Sequence, residues 1–221
     1  MAKHQIQPLQ YITYGSPEEQ IQQAKGACEA GVRWIQLRLK NVDDSTLLQT
    51  AFTIKAIATT YNAVFIVNDH VHIALAVEAD GVHLGKEDSS PVDTRILLGP
   101  EKIIGSTANT MEDIEQLAQF HVDYIGLGPY RFTTTKEKLS PVLGTEGYVN
   151  ILLAMKQKNI AIPIIAIGGI QNEDVEELMQ TGVYGIAVSS SITHSMNKPD
   201  TVQSFYSSLK TKDHGTFNHS R

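Results

Sequence analysis

The sequence predicts an α/β fold, a single-domain (β/α)8 TIM barrel, on three observations. Eight short apolar runs alternate with eight amphipathic stretches along the chain. The runs are nearly continuously apolar, which is typical of parallel strands covered on both faces by crossover helices. Eight repeats favour a closed barrel over an open sheet, although 221 residues is somewhat short for this fold. We expect one barrel domain over residues 1–210 and a frayed or disordered C-terminal tail over residues 211–221, which lack apolar periodicity.

Each predicted strand is an apolar run that is followed by a helical pattern. The predicted strands are LQYIT, VRWIQLRLK, AVFIVN, DGVHLG, EKIIGST, DYIGLGP, IPIIAIGGI and YGIAVSSSI. The predicted helices are PEEQIQQAKGACEAG, DSTLLQTAFTIKAIATTY, HVHIALAVEA, PVDTRILL, MEDIEQLAQF, EGYVNILLAMKQ, NEDVEELMQTG and DTVQSFYSSL. Most of these stretches repeat apolar residues at helical spacing, with charges on the opposite side. PVDTRILL has the weakest pattern and is also compatible with a single turn.

The composition argues against several classes of function. The chain has 18 Lys+Arg and 24 Asp+Glu, a formal net charge of −6, so we expect no general attraction to nucleic acid or to an anionic membrane. MAKHQIQPLQ lacks the apolar core of a signal peptide, and no run approaches membrane-spanning length. Cys28 is the single cysteine, which excludes an internal disulfide. We therefore expect a cytoplasmic protein that binds anions through local clusters of charge.

A cationic cluster ends the second predicted strand. In WIQLRLK, strand alternation places Gln36, Arg38 and Lys40 on one face. The alternative is an edge strand with a solvated polar face, but a closed barrel has no edge strands. Arginine and lysine at a concave site suit a multiply charged phosphate.

Carboxylates follow the third and fourth predicted strands. Asn68 and Asp69 end VFIVND, and Glu87 and Asp88 end GVHLGKED. Two carboxylates after neighbouring strands can share a hard cation such as Mg²⁺, for which Asp88 is the preferred second ligand and Glu87 the fallback. For Asp69, a helix cap is an equally good interpretation of the sequence.

The loops after the last three strands carry hydroxyls and glycines. In YIGLGPYRFTTTKEKLSPVLG, Thr133, Thr135 and Lys136 predict a phosphate-binding lid over residues 130–144. Gly169 follows the seventh strand, and Ser189 and Ser190 follow the eighth, where barrels often bind phosphate through backbone N–H groups. The alternative is a tight turn followed by a serine cap.

The histidines give weaker signals. His70 and His72 lie two residues apart at a predicted helix start, so we expect them to diverge rather than to chelate a metal. His83 lies within a predicted strand and is interpreted as structural. The sequence therefore offers no poised nucleophile or general base.

Together these motifs resemble the thiamine phosphate synthase (thiamine-phosphate pyrophosphorylase) family, from LQYIT to VSSSI. The residues that carry the resemblance are Gln36, Arg38, Lys40, Asn68, Asp69, Asp88, Thr133, Thr135, Lys136, Gly168, Gly169, Ser190 and Ile192. The resemblance implies a transferase that couples a hydroxymethylpyrimidine pyrophosphate with a thiazole phosphate, releasing pyrophosphate. It implies Mg²⁺ held by Asp69 and Asp88, and it is consistent with a homodimer.

The resemblance also implies a role for each group of residues. Arg38, Lys40 and Lys136 act in catalysis, together with Asn68. Gln36 and Thr107 orient the pyrimidine. The residues implied for the thiazole phosphate are Thr133, Thr135, Gly169, Ser189 and Ser190.

Two departures from the family pattern leave alternatives open. In GSTANT, Thr107 and Asn109 stand where the family usually has serine and histidine. Phe132 replaces the usual proline, and Arg131 before it adds a cation to the loop. The alternatives are a thiazole tautomerase-like isomerase, which needs a histidine base, a sugar-phosphate isomerase or epimerase, and a non-catalytic phosphate-ligand-binding barrel.

Overall fold

The computed structural model describes residues 5–132 and 141–210. The strands are β1 (Leu9–Ile12), β2 (Trp34–Leu37), β3 (Val64–Asn68), β4 (Gly81–Leu84), β5 (Ile103–Ala108), β6 (Tyr124–Leu127), β7 (Ile164–Ile167) and β8 (Gly185–Val188). Each strand pairs in parallel with the next one along the chain, and β8 pairs with β1 to close the barrel. The predicted (β/α)8 barrel is confirmed.

Helices connect the strands and surround the barrel. They are α1 (Pro17–Glu29), α2 (Asp44–Thr60), α3 (Val71–Ala76), α4 (Pro91–Leu98), α5 (Met111–Leu117), α6 (Gly144–Gln157), α7 (Val175–Thr181), α8 (Ser190–Thr193) and α9 (Lys198–Leu209), with a short 3-10 helix over Asn172–Asp174. Their starts follow from local side-chain chemistry, because a side-chain oxygen before each of several helices accepts an otherwise unpaired backbone N–H. Ser16 and Glu19 form a capping box at α1, and Asp43 caps α2. PVDTRILL forms the two-turn helix α4.

Two strands end earlier than the sequence predicted. β2 ends at Leu37, so Arg38 and Lys40 lie beyond the strand. The reason is that β1 ends at Ile12, opposite Gln36, and offers no further backbone partner. β8 likewise stops short of the serines of YGIAVSSSI, which lead into the short helix α8.

The buried apolar side chains form two clusters, one on each side of the barrel wall. Along β2, Trp34 belongs to the inner cluster, whereas Ile35 and Leu37 pack in the outer cluster with the helices. The inner cluster consists of Ile12, Trp34, Val64, Ile66, Ile103, Tyr124, Ile165 and Ala187. Strand alternation therefore directs residues two positions beyond this cluster into the barrel mouth, the opening at the carboxyl ends of the strands.

Two of the predicted features lie partly or wholly outside the described residues. These are the tail over residues 211–221 and the part of the lid over residues 133–140. Among the helices that the structure describes, none is long and apolar enough to cross a membrane.

Candidate active site

Gln36 and Asn68 form a buried pair at the barrel mouth. Gln36 Nε2, on β2, donates a hydrogen bond to Asn68 Oδ1, on β3, at 2.8 Å. Gln36 Oε1 is also buried, and it has no hydrogen-bond partner among the described residues. Leaving a buried acceptor unpaired costs about 1–3 kcal/mol, so a ligand that donates a hydrogen bond here would remove this cost.

Two carboxylates converge beside this pair. Asp69 follows β3, Asp88 follows β4, and their side chains share a hydrogen bond. The backbone N–H of Gly85 donates to Asp88 Oδ2 at 2.6 Å. A Cβ atom at Gly85 would lie 2.7 Å from that oxygen and 3.9 Å from Asp69 Oδ1, so a glycine is needed between the carboxylates. The structure thus brings the two predicted metal ligands together, with Glu87 exposed nearby.

The two carboxyl groups hold protons unequally. Burial, then the hydrogen bond and the negative charge of Asp69, raise the pKa of Asp88 to about 6. Burial also acts to raise the pKa of Asp69, but hydrogen bonds with Asp88 and Lys40 outweigh it and lower that pKa. Lys40 Nζ forms an ion pair with Asp69 Oδ2. A hard divalent cation, which prefers carboxylate oxygens, would replace the shared proton, so these residues fit Mg²⁺.

A chain of buried hydrogen bonds crosses the barrel interior beneath the mouth. Gln10 Nε2 donates to the hydroxyl of Tyr124 at 3.2 Å, which directs the phenol hydrogen to His83 Nδ1 at 3.0 Å. The imidazole of His83 then carries its proton on Nε2 and donates it to Thr107 Oγ1, at 3.0 Å. The Thr107 hydroxyl is thereby left with a hydrogen to donate to a ligand.

Sequence reasoning missed the contact between His83 and Thr107. His83 is buried as a structural histidine would be, yet it binds the residue assigned to the pyrimidine. A signal was present in the alternation of β6, which turns the Tyr124 ring inward, and in Gly105 on β5. A Cβ atom at Gly105 would lie 2.0 Å from Cζ of Tyr124, so the ring fits only against glycine.

Arg38 and Lys40 extend the line of Gln36 beyond the last residue of β2. Leu39 between them is buried, so the alternation continues past the strand end. The Arg38 carbonyl accepts a hydrogen bond from Gln20 Nε2 at 3.1 Å, which holds this segment against α1. The Arg38 side chain is half-buried and Lys40 is exposed, as a site that admits a charged ligand requires.

Asn109 stands where the family usually has histidine, and it makes structural contacts. Its Nδ2 donates to the Gly128 carbonyl at 2.5 Å, and its backbone N–H donates to Asp113 Oδ2 at 2.8 Å. Lys86 Nζ pairs with the same Asp113 oxygen at 2.5 Å. Asn109 therefore connects the end of β5 to the start of the loop that follows β6.

The turn after β7 packs against the start of the predicted lid. Gly168 and Gly169 have φ angles of 106° and 67°, which side-chain-bearing residues rarely adopt. Arg131 Nη2 pairs with Asp174 Oδ1 at 2.5 Å, so this cation is bound to the turn that follows β7. The lid residues Thr133, Thr135 and Lys136 lie outside the described residues.

The serines after β8 divide between the barrel wall and a cleft. Ser189 Oγ donates to the Ile12 carbonyl at 2.6 Å, so its hydroxyl is bound to β1. A polar cleft of about 350 Å³ lies beside α8 and α9. Its lining residues are Gln171, Ser190, Ser191, His194, Ser195 and Thr201.

The expectation that His70 and His72 diverge is wrong. The two imidazole centroids lie 5.8 Å apart, and a ligand atom from each lies within 4.8 Å of the other and of a carboxylate oxygen of Asp44. The reason is that His70 precedes α3 and keeps a non-helical conformation, so helical spacing does not separate the two rings.

Comparisons with known proteins agree with the resemblance seen in the sequence. The family model described as thiamine monophosphate synthase matches residues 9–192. A thiamine-phosphate synthase from Flavobacterium psychrophilum is 50% identical over 190 residues, covering 86% of this chain and 92% of that relative. A second one, from Flavobacterium johnsoniae, is 48% identical over 196 residues, covering 88% and 92% respectively.

A solved structure leads to the same family. The thiamine phosphate pyrophosphorylase from Pyrococcus furiosus superimposes with a TM-score of 0.80 at 30% identity, covering 92% of this chain and 95% of that chain. The family model spans the barrel from β1 to α8, and the motifs quoted from the sequence lie at its mouth. The chain belongs to the thiamine monophosphate synthase family.

Proposed function

We propose that this chain couples a hydroxymethylpyrimidine pyrophosphate with a thiazole phosphate, and that it releases thiamine phosphate and pyrophosphate. The observation that carries the proposal is the meeting of Asp69, Asp88 and Lys40 beside the buried Gln36–Asn68 pair. Family membership supports the choice of substrates. The cluster supplies the charges that a departing pyrophosphate needs.

Gln36 and Thr107 suit an aminopyrimidine because one offers an acceptor and the other a donor. Gln36 Oε1 is a buried acceptor without a described partner, and it would take a hydrogen bond from the exocyclic amino group. The Thr107 hydroxyl accepts from His83 and retains a hydrogen for a ring nitrogen. Asn68 holds the Gln36 amide in the orientation that presents Oε1.

The reaction breaks the bond between the pyrimidine methylene carbon and a pyrophosphate oxygen, and the electron pair leaves with the oxygen. The lone pair of the thiazole nitrogen then forms the new carbon–nitrogen bond, so the step requires no general base. Arg38 and Lys40 would stabilise the charge that develops on the leaving group, with Asn68 donating through its amide. Mg²⁺, held by Asp69 and Asp88, would supply further charge neutralisation at the leaving oxygens.

The thiazole phosphate is assigned to the opposite side of the mouth. Thr133, Thr135 and Lys136 of the lid would bind it together with Gly169 and the backbone of Ser189 and Ser190. A closed lid would also exclude water, which would otherwise capture a cationic pyrimidine. Replacing Lys136 with alanine tests this assignment, and full turnover in that variant would exclude a role for the lysine.

The alternatives predict other features at the mouth. A tautomerase needs a histidine base, but both nitrogens of His83 are hydrogen bonded, to Tyr124 and Thr107. A sugar-phosphate isomerase would not need a carboxylate pair next to a second anion site. A non-catalytic barrel would bind both phosphates without turnover. The homodimer and the cytoplasmic location stay predictions.

The deciding experiment incubates the purified chain with both substrates, with and without Mg²⁺, and measures pyrophosphate and thiamine phosphate. We expect both products in equal amounts, and only when Mg²⁺ is present. The Asp88→Asn variant should need more Mg²⁺, whereas the matched control Glu87→Gln should not. Binding of both substrates without either product would contradict the proposal and favour the non-catalytic barrel.

A further inference from the structure

A second cluster of metal-ligating side chains lies at the outer rim of the mouth. Asp44 is the first residue of α2, His70 immediately precedes α3, and His72 is the second residue of α3. One ligand atom from each residue lies within 4.8 Å of the other two. The three residues come from the segments after β2 and β3, which are neighbours in the barrel.

The spacing of these atoms is close to that of a coordinated ion. His72 Nε2 and Asp44 Oδ2 are 3.0 Å apart. In a tetrahedral zinc site, bonds of about 2.0–2.2 Å place neighbouring ligand atoms roughly 3.3–3.5 Å from one another. The remaining separations can reach that range through side-chain rotation, because His72 and Asp44 are largely exposed and free to change rotamer.

Simpler roles account for only part of the cluster. A carboxylate in the first turn of α2 interacts favourably with the helix dipole, and a protonated His72 would form an ion pair with Asp44. Neither role requires the imidazole of His70, which lies with its centroid 5.8 Å from that of His72 and steeply inclined to it. Two imidazoles and one carboxylate directed at one point are a ligand set.

We propose that Asp44, His70 and His72 bind a divalent transition-metal ion, with Zn²⁺ the best match. Two imidazole nitrogens and one carboxylate oxygen suit zinc, which takes mixed nitrogen and oxygen ligands, with solvent completing the coordination. The Asp69–Asp88 pair offers oxygen ligands, which suit Mg²⁺. The two sites therefore differ in ligand chemistry, and this proposal does not rest on the proposed function.

A bound ion would connect two parts of the barrel mouth. It would join the start of α2 to the turn that carries Asn68 and Asp69. Asp69 has a φ angle of 65°, an uncommon conformation for this residue type, and the ion would restrain the turn that contains it. Because binding to the folded state alone stabilises it, the melting temperature should rise with the concentration of zinc.

The test is calorimetric titration of the untagged full chain with Zn²⁺, in an excess of Mg²⁺ and without substrates. We expect one equivalent of zinc to bind. Loss of a group that only orients a ligand commonly weakens metal binding about 10–100-fold, so loss of a ligand in His72→Ala or Asp44→Asn should weaken it by about tenfold or more. Unchanged affinity in both variants, or no zinc binding to the wild type, would overturn the proposal.

Matched controls separate this site from the rest of the chain. His121→Asn removes another exposed histidine, and asparagine tolerates the φ angle of 52° at that position. Asp93→Asn removes an equivalent first-turn carboxylate from α4. Both controls, and Asp88→Asn, should keep zinc binding and the zinc-dependent rise in melting temperature. Loss of zinc binding in Asp88→Asn with retention in His72→Ala would place the ion on the carboxylate pair and refute the proposal.

Discussion

Replacing Asp88 with asparagine should stabilise the metal-free protein while it impairs Mg²⁺ binding. The pKa of Asp88 is raised from 3.8 to about 6. At about 1.4 kcal/mol per pKa unit, the shift corresponds to an upper limit of roughly 3 kcal/mol. Asp88 is exposed to solvent, which screens the interaction, so we expect a gain of about 1 kcal/mol. For a barrel of this size, that gain raises the melting temperature by about 2–4 °C.

The gain depends on pH in a defined direction. Between pH 3.8 and about 6, the folded protein keeps the Asp88 proton that the unfolded chain has lost. The free energy of unfolding of the wild type therefore falls as pH rises through this window, as far as Asp88 contributes to it. Asparagine does not titrate, and its side-chain oxygen can still accept the hydrogen bond from Gly85. The advantage of the variant should be small near the lower limit and largest above the upper limit.

Urea unfolding in a chelating buffer, at about pH 4.5 and about pH 7.5, measures this difference. Glu87→Gln is the control, since it removes a neighbouring carboxylate and changes the net charge equally. A variant no more stable than the wild type at the higher pH, or one with the same gain at both, would refute the electrostatic reasoning. In the coupled assay, the same Asp88→Asn variant should require a higher Mg²⁺ concentration.

Three further substitutions test other parts of the barrel. Tyr124→Phe removes the hydroxyl between Gln10 and His83, so denaturation should show a loss of about 1–3 kcal/mol. The KM for the pyrimidine should rise roughly fivefold with the KM for the thiazole unchanged, and equal changes in both would argue against a role in orienting Thr107. Gly105→Ala drives a Cβ atom into the Tyr124 ring, so denaturation should show a loss of about 1–3 kcal/mol or more; wild-type stability would contradict the packing. Lys40→Met keeps the length of the side chain but removes its charge, so kcat/KM should fall about 100-fold with an unchanged circular dichroism spectrum. Undiminished turnover would exclude the lysine.

The barrel could be predicted from the sequence because its signals are local. Each strand is an apolar run, each helix has an amphipathic pattern, and several helix starts carry a capping side chain. Asp69 and Asp88 could be placed together for the same reason, since the carboxyl ends of consecutive parallel strands meet at one end of a barrel. The end of β2 was missed because it depends on where β1 ends, which is information from another part of the chain.

Contacts between side chains were the harder part to predict. The cluster of Asp44, His70 and His72 was missed because the spacing of the histidines was read as helical, and Asp44 is distant in sequence. Topology contained a usable signal, because α2 and α3 begin at the same end of adjacent strands. The bond from Ser189 to the Ile12 carbonyl depends on the closure of β8 against β1, which no local pattern encodes.

The interior of the barrel changes from apolar to polar along its axis, and one alternation produces both regions. On β2, Trp34 packs in the inner cluster and Gln36, two residues later, reaches the mouth. On β3, Ile66 and Asn68 repeat the change. The apolar layer beneath the mouth excludes water from one side of the site, so charges there are screened less than on an open surface. The Tyr124 hydroxyl lies where the two layers meet, which explains how one buried phenol can contribute both to the packing of the core and to the hydrogen bonds that orient the site.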